Sequence, residues 1–230
     1  MARLIEFQAD ALIKGLDALR GAQLPYAGAQ ALKQLGWQLK QHHREWMASG
    51  GFDNPVPFTL SSPRYTPDGL ELRFFISDDG AKGQSPATYL YPVTTEDGSS
   101  KQVYATRFAK ALQKEGISRL HPIPYLGGRG VRINSYGNMQ PSQYTQTLAG
   151  LKRNDGTYFS IPDDRSARPL RGKLKRGIYQ RKGRSLFMLF GYVSTLPRVN
   201  AKYDFFGITD TFAKERLPKL LSDALDRAIR

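Results

Sequence analysis

The chain contains no cysteine among its 230 residues. Disulfide scaffolds, zinc–cysteine sites, thiolate nucleophiles and iron–sulfur clusters are therefore excluded. Long apolar runs are also missing: the longest covers residues 186–193 and is broken by Gly191, whereas a transmembrane helix needs about 20 residues. The first twenty residues contain Arg, Lys, Glu and Asp and lack the unbroken apolar centre of a secretory signal. The sequence predicts a soluble protein that acts where it is made or is carried elsewhere in an assembly.

The sequence also lacks the common catalytic and cofactor motifs. It has neither a G-x-S-x-G nucleophile elbow nor a G-x-x-x-x-G-K-[ST] phosphate loop. The histidines are not spaced as metal ligands, because His42 and His43 are adjacent on a predicted helix and point about 100° apart. We expect both to be exposed polar residues, and His121 precedes a proline in a predicted loop. We therefore predict no cofactor, no metal site and no enzyme activity.

Two weaker candidates for chemistry remain. The glycine-rich residues 127–130 do not lie between a clear strand and a helix, so we interpret them as a tight turn rather than a phosphate nest. Asp78-Asp79 and Asp163-Asp164 are adjacent acids in turn contexts, where such side chains commonly bond the backbone. A metal-dependent nuclease using Asp78 and Asp79, with Lys82 nearby, is the least favoured hypothesis.

The charge is strongly basic and locally concentrated. The chain has 34 Lys and Arg against 20 Asp and Glu, a net charge of +14, and no acid falls between residues 165 and 184. Such a block repels itself unless it meets an anion, which could be DNA phosphate or an acidic neighbouring subunit. A solvated loop that keeps the protein soluble is the third interpretation, and the single aromatic residue in the block, Tyr179, gives little support to base stacking. The candidate contact residues are Arg165, Arg168, Arg171, Lys173, Lys175, Arg176, Arg181, Lys182 and Arg184.

Apolar residues at helical spacing mark the start of the chain. They predict an amphipathic helix over residues 3–20 and a second helix from Pro25 to about residue 49. Proline suits the first helical turn, where its missing N–H needs no partner, and Gly50-Gly51 ends the pattern. The small residues between 27 and 31 would let another backbone approach closely, and we interpret them as ordinary core packing rather than a specific oligomer seam.

The last segment, residues 209–230, is predicted to be a helix with a break at Pro218. Shorter elements lie between it and the N-terminal helices. Residues 104–115 and a segment opened by Pro141 have helical periodicity, whereas the Pro- and Gly-rich residues 117–137 predict no regular element. The last predicted strand is apolar on both faces and should be central in its sheet. Strands are predicted over residues 70–77, 158–161, 177–180 and 185–193, the last two as a hairpin.

These elements together predict an α+β fold. Long N-terminal helices and a C-terminal helix would pack on a small antiparallel β-sheet. Residues 1–79 and 157–230 would form this core domain, and residues 80–156 a loop-rich helical insertion.

Two parts of the sequence resemble phage proteins. Residues 212–219 (FAKERLPK), followed by Leu221 and Ala224-Leu225, resemble the end of the minor tail protein Z family of long-tailed phages. The opening is similar too, with Gly15-Leu16, Pro25, Gly28-Ala29 and Ala31. The middle resembles a family of phage virion proteins in residues 86–90 (PATYL), Phe108, Ala111-Leu112, Gly116, Pro122, residues 136–139 (YGNM), Gln143, Leu148 and Leu151. The loop at residues 94–98 departs from the family's Gly-Gly, Arg and Lys pattern, so no contact is carried over there.

The resemblance implies a structural role in the phage neck or tail. The chain would be a tail-completion or connector-type ring subunit that joins tail and head-neck components around the DNA channel. Its partners would be copies of itself in a six-fold or twelve-fold ring, the tail tube, the tail terminator or head-neck proteins, and DNA in the channel, with no membrane and no small-molecule substrate. The family has no catalytic residues to transfer, and the location would be the virion after assembly in the host cytoplasm. The alternative is a stand-alone basic DNA-binding protein.

Overall fold

The computed structural model describes residues 5–8, 23–80, 84–94, 101–102, 105–161 and 174–229. The described helices and strands confirm the α+β class. In chain order the elements are β1 (Ile5–Gln8), α1 (Gln23–Trp46), α2 (Pro57–Leu60), β2 (Pro63–Asp68), β3 (Glu71–Ile76), α3 (Pro86–Leu90), β4 (Lys101–Gln102), α4 (Arg107–Lys114), β5 (His121–Pro124), α5 (Pro141–Arg153), β6 (Tyr158–Ile161), β7 (Gly177–Lys182), β8 (Ser185–Val193), β9 (Arg198–Val199) and α6 (Phe205–Ile229).

The chain folds as two compact units, each with its own core. The terminal unit comprises Met1–Lys101 and Val199–Arg230, and the central unit comprises Gln102–Arg198. The two-residue strands β4 and β9 pair with each other.

The terminal unit places two long helices against an antiparallel sheet of order β1-β3-β2. Every third or fourth residue of α1 is apolar and buried, and this stripe packs with β3 and α6 in one core. A π-helical turn, Met47–Gly51, ends α1 where Gly50 has a φ of 121°, a conformation that glycine adopts without a steric penalty. The buried core residues include Leu32, Leu35, Leu39, Leu72, Phe74, Tyr203, Phe205, Leu220 and Leu221.

The predicted helix over residues 3–20 is wrong at its start. Residues 5–8 form β1, which pairs antiparallel with β3 from Ile5 opposite Phe74 to Gln8 opposite Glu71. The sequence Ile-Glu-Phe-Gln alternates apolar and polar residues, which is the strand period, and β3 offers this segment a free edge. The remainder of that predicted helix, residues 9–20, lies outside the described residues.

The predicted break at Pro218 is also wrong, because α6 runs unbroken from Phe205 to Ile229. It begins four residues earlier than the sequence indicated, and its first turn is capped by Asp204, whose Oδ1 accepts from the Gly207 N–H at 2.9 Å. Pro218 is exposed. Because proline has no N–H, the carbonyl of Lys214, four residues earlier, has no helical donor. Lys214 is also exposed. Packing of the apolar face of α6 keeps the helix continuous.

The central unit packs α4 and α5 against a four-stranded antiparallel sheet of order β5-β8-β7-β6. Strand β8 is interior in this order, as the sequence predicted. Helix α4 is capped by Thr106, whose hydroxyl accepts from the Ala109 N–H at 3.2 Å, and it is followed by Gly116 at a φ of 67°. The buried core residues are Phe108, Leu112, Met139, Tyr158, Ile178, Leu189, Phe190 and Tyr192.

The unit boundaries differ from the predicted insertion at residues 80–156. The β7–β8 hairpin belongs to the central unit, because it pairs with β5 on one side and β6 on the other. Residues 86–93 belong instead to the terminal unit, where Leu90 is buried in the core and the Val93 carbonyl accepts from the Lys202 and Tyr203 N–H groups. Strand pairing decided the first assignment, and core packing with two backbone hydrogen bonds decided the second.

Candidate functional site

The candidate site predicted from charge lies on and around the β7–β8 hairpin. Lys182 pairs with Ser185 across a two-residue turn, in which Gly183 has a φ of 58° while the φ of Arg184 is not positive. Glycine at the first turn position is the type II′ arrangement, whose twist matches the flanking strands. The turn therefore places the cations on either side of Gly183 at the end of the paired strands β7 and β8.

The structure separates the predicted cations into two groups. Arg181, Lys182 and Arg184 surround the turn and are exposed; we call these three the hairpin tip. Lys175 and Arg176 are also exposed but precede β7, about 20 Å from the tip at the usual rise per strand residue. The remaining four predicted contacts, Arg165, Arg168, Arg171 and Lys173, lie outside the described residues.

Aromatic rings support the cations of the hairpin tip. The Arg181 guanidinium lies 5.6 Å from the centre of the Phe159 ring, and the Lys182 ammonium lies 5.7 Å from that of Phe187. Such contacts hold a cation in place without neutralising it. No acidic residue occurs between residues 174 and 193, so this surface can bind phosphates or carboxylates.

Base stacking on the hairpin is not supported by the structure. Tyr179 is buried and stacks on Phe159, with ring centres 5.7 Å apart. Its hydroxyl donates to the Lys175 carbonyl at 2.7 Å, and burial raises its pKa. The hairpin can therefore offer charge and hydrogen bonds, but the Tyr179 ring is committed to the fold.

The weaker candidates for chemistry take structural roles. Ser85 donates to Asp78 Oδ1 at 2.6 Å and caps α3 by accepting from the Thr88 N–H. The glycine-rich residues 127–130 form consecutive turns, with the Gly128 N–H donating to the Tyr125 carbonyl at 2.9 Å. Asp163, Asp164 and Lys82 lie outside the described residues. Within the described ranges, no group of three or more His, Asp or Glu side chains is placed to hold a metal ion.

The expectation that His43 is exposed is wrong: its side chain is fully buried in the terminal unit. Its Nε2 lies 2.9 Å from Thr209 Oγ1, and its Nδ1 lies 2.6 Å from the Tyr203 hydroxyl. The Thr209 hydroxyl donates to the Phe205 carbonyl, so its oxygen must accept from Nε2–H. Nδ1 is then the acceptor, and Tyr203 donates to it. Burial lowers the pKa of His43 to about 3, with the neighbouring His42 as a smaller cause.

A second feature missed from the sequence is a groove of about 490 Å³ among α1, α6 and β2. A smaller hollow of about 190 Å³ continues it, and Gln34 lines both. Helix-period patterning along α1 indicated only the buried stripe, because the groove depends on which helix and strand pack beside α1. The groove is lined by Tyr26, Gln30, Lys33, Gln34, Trp37, Tyr65, Ala224, Arg227 and Ala228.

Gly36 brings the wall of this groove close to α1. A Cβ built on Gly36 would lie 2.5 Å from the Tyr65 ring, nearer than real side-chain atoms approach one another. The missing side chain therefore lets β2 lie directly on the helix, with Tyr65 beside the groove.

None of the described helices combines the length and apolarity that crossing a bilayer requires. Comparison with protein-family models, with curated proteins and with solved structures finds no match for this chain.

Proposed function

We propose that the chain is a structural virion protein of the phage neck or tail, a tail-completion or connector-type ring subunit that joins tail and head-neck components around the DNA channel. The observation that carries the proposal is the exposed hairpin tip, in which three cations stand on a type II′ turn with no acid on either strand. A ring of such subunits would gather positive charge that DNA or an acidic neighbouring protein can offset.

The resemblance to the minor tail protein Z family supports the same role. The segment FAKERLPK lies on α6, where Ala213 is buried in the core while Glu215, Arg216 and Lys219 are exposed. Its apolar members thus contribute to the fold, and its charged members are available to a neighbouring subunit. The Arg216 guanidinium lies 5.5 Å from the centre of the Phe212 ring. The Phe212 ring also stacks on that of His42, with ring centres 4.4 Å apart.

The first test is location. Mass spectrometry of purified particles from the phage or prophage that encodes the chain should detect it in stoichiometric amounts, and gold-labelled antibody should mark the neck or tail. Mass photometry of the purified protein should show a closed oligomer whose mass is a multiple of 25.8 kDa. Absence from mature particles would rule the proposal out.

The second test is the charge of the hairpin tip. Replacing Arg181, Lys182 and Arg184 by Gln should reduce the yield of complete particles, because the anionic neighbour loses its counter-charge. The matched control replaces three exposed cations elsewhere, Arg44, Lys110 and Lys114. Equal reductions in both triple variants would mean that net charge, and not the hairpin, matters.

The alternative, a stand-alone DNA-binding protein, is favoured by the same exposed cations. It predicts that the purified protein binds duplex DNA with a steep salt dependence, and that the hairpin-tip variant lowers the slope by about 0.9 for each phosphate that is no longer neutralised. A ring subunit could share this behaviour. Binding together with absence from particles would select the alternative.

A further inference from the structure

The groove beside α1 contains aromatic rings that are unusually exposed for their size. Tyr26 is 63% exposed and Trp37 is 55% exposed. Eleven residues separate them, which is three helical turns within about 20°, so both rings lie on one face about 16.5 Å apart. Exposed Trp and Tyr on one rigid face are the residues that most often dominate the energy of protein interfaces.

The charged side chains that line the groove itself, among the described residues, are both basic. Lys33 and Arg227 line the groove, and none of its lining residues within the described ranges is acidic. The continuing hollow adds Arg216, Lys219 and the acid Asp223 to the described lining. Among the described residues, neither Lys33 nor Arg227 forms an ion pair, and Arg227 is held in place by donating from Nε to the Asp223 carbonyl at 2.9 Å.

The remaining lining residues are suited to close packing. Ala224 and Ala228 have small side chains, so a partner can approach α6 closely. Gln30 and Gln34 offer hydrogen-bonding groups that carry no charge. A hollow bordered by two helices, with large rings at its ends and cations at its edges, matches the way proteins bind an amphipathic helix.

We propose that this groove binds an acidic amphipathic helix of a partner protein. The apolar side chains of that helix would lie against Tyr26, Trp37 and Tyr65, and its carboxylates would pair with Lys33 and Arg227. The spacing of the rings favours a helix over a nucleic acid. Side chains at i and i+11 of a helix are about 16.5 Å apart, whereas aromatic platforms for single strands must meet successive bases.

The inference goes beyond the virion role and does not depend on it. The groove lies within the terminal unit, whereas the hairpin tip lies in the central unit. Each site can therefore be altered without touching the other, and failure of one proposal leaves the other standing.

A direct binding measurement tests the proposal. The probe is a fluorescein-labelled peptide of about eighteen residues with leucines at i, i+4, i+7 and i+11 and glutamates on the flanking positions. Fluorescence anisotropy with the full-length chain should give saturable binding in the micromolar range, and Trp37 emission should shift to shorter wavelength. A matched peptide with lysines in place of the glutamates should bind at least about tenfold more weakly.

Variants of the groove identify where the peptide binds. Trp37→Ala, and separately the double variant Lys33→Glu/Arg227→Glu, should each weaken binding about tenfold or more. The first removes an anchoring ring, and the second reverses the charges that would pair with the peptide's carboxylates. Arg44→Glu and Phe58→Ala are the controls, because these residues are exposed in the same unit but do not line the groove. Their affinity for the peptide should match that of the unaltered chain.

Three results would overturn the proposal. The first is no saturable binding, or binding that the groove variants leave unchanged. The second is Trp37-dependent binding of a single-stranded oligothymidylate that competes with the acidic peptide, which would assign the groove to nucleic acid. The third is Trp37-dependent self-association of the chain without peptide binding, which would make the occupant a second copy.

Discussion

The Tyr203 hydroxyl donates to Nδ1 of His43 across 2.6 Å in the interior of the terminal unit. This single hydrogen bond joins α1 to the segment before α6, 160 residues further along the chain. The imidazole is enclosed by Phe74, Phe205 and Tyr203, with ring centres between 5.0 and 5.7 Å away. Burial also raises the pKa of Tyr203, so its hydroxyl keeps the proton that it donates. The network is complete only with a neutral histidine.

Stability should therefore fall in acid because of His43. Its pKa is about 3 in the folded chain against 6.5 as the ordinary value, so below pH 6.5 the unfolded chain binds the proton first. The free energy of unfolding should be unaffected by this group above pH 6.5 and decrease as the pH falls toward 3, by about 1.4 kcal/mol per pH unit. Between pH 6.5 and 5 the expected decrease is about 2 kcal/mol, measured by urea unfolding.

The control for this pH effect is His42→Gln, which should keep most of the slope because burial is the larger cause of the His43 shift. NMR titration of the imidazole nitrogens gives a direct second measurement, and it should show a neutral ring with the proton on Nε2 at pH 5. A His43 ring that gains its second proton near pH 6.5 would contradict the assignment.

Removing the Tyr203 hydroxyl should destabilise the fold without changing its shape. Tyr203→Phe keeps the ring, which stacks on Trp46 at 4.8 Å, but leaves Nδ1 of His43 buried without a donor. The expected cost is about 1–3 kcal/mol in the free energy of unfolding. Tyr26→Phe, at an exposed tyrosine, is the control and should be near neutral; equal effects at the two positions would show that the hydrogen bond contributes nothing.

Gly36→Ala should destabilise the terminal unit although alanine is the better helix former. The added Cβ meets the Tyr65 ring at 2.5 Å and a Leu72 methyl group at 2.9 Å. Overpacking of this kind costs about 1–3 kcal/mol, more than the helix propensity gain of about 1 kcal/mol. Thermal and urea unfolding should show the decrease in stability.

A double-mutant cycle isolates this contact. In a Tyr65→Ala background the ring is gone and only the Leu72 methyl contact remains, so Gly36→Ala should become less costly. A Gly36→Ala effect that is the same in both backgrounds would place its origin elsewhere.

Local signals of the sequence were enough to predict much of the fold. Gly116 correctly marked the end of α4, and Pro141 correctly marked the start of α5. Two strand-like segments joined by a turn at residues 181–183 predicted the hairpin. Strand β5 was missed because Pro122 and Pro124 argued against a strand. The Tyr125 N–H points toward β8, because it donates to the Leu189 carbonyl. Backbone nitrogens alternate in direction along a strand, so those of Pro122 and Pro124 point away from β8. The missing N–H groups therefore cost no hydrogen bond between the strands.

Residue contacts between distant parts of the chain explain the remaining errors. Nothing near His43 in sequence indicates that Tyr203 and Thr209 satisfy its two nitrogens, so adjacency to His42 on a helix suggested exposure. The basic block was recognised as one feature, but the extended β7 separates Arg176 from the hairpin tip. The groove combines residues of α1, β2 and α6, and no single segment contains its pattern.

Pro218→Ala should stabilise the chain, because α6 continues through this position. Proline in a helix interior costs about 3 kcal/mol through the missing N–H and the clash of its ring, and part of that cost is offset by the restriction it places on the unfolded chain. The net gain in the free energy of unfolding should be about 2 kcal/mol, seen as a higher urea midpoint. Pro141→Ala is the control, since Pro141 occupies the first turn of α5, where its missing N–H costs nothing. If Pro218→Ala were no more stabilising than Pro141→Ala, a helical break at Pro218 would fit the chain better than a continuous α6.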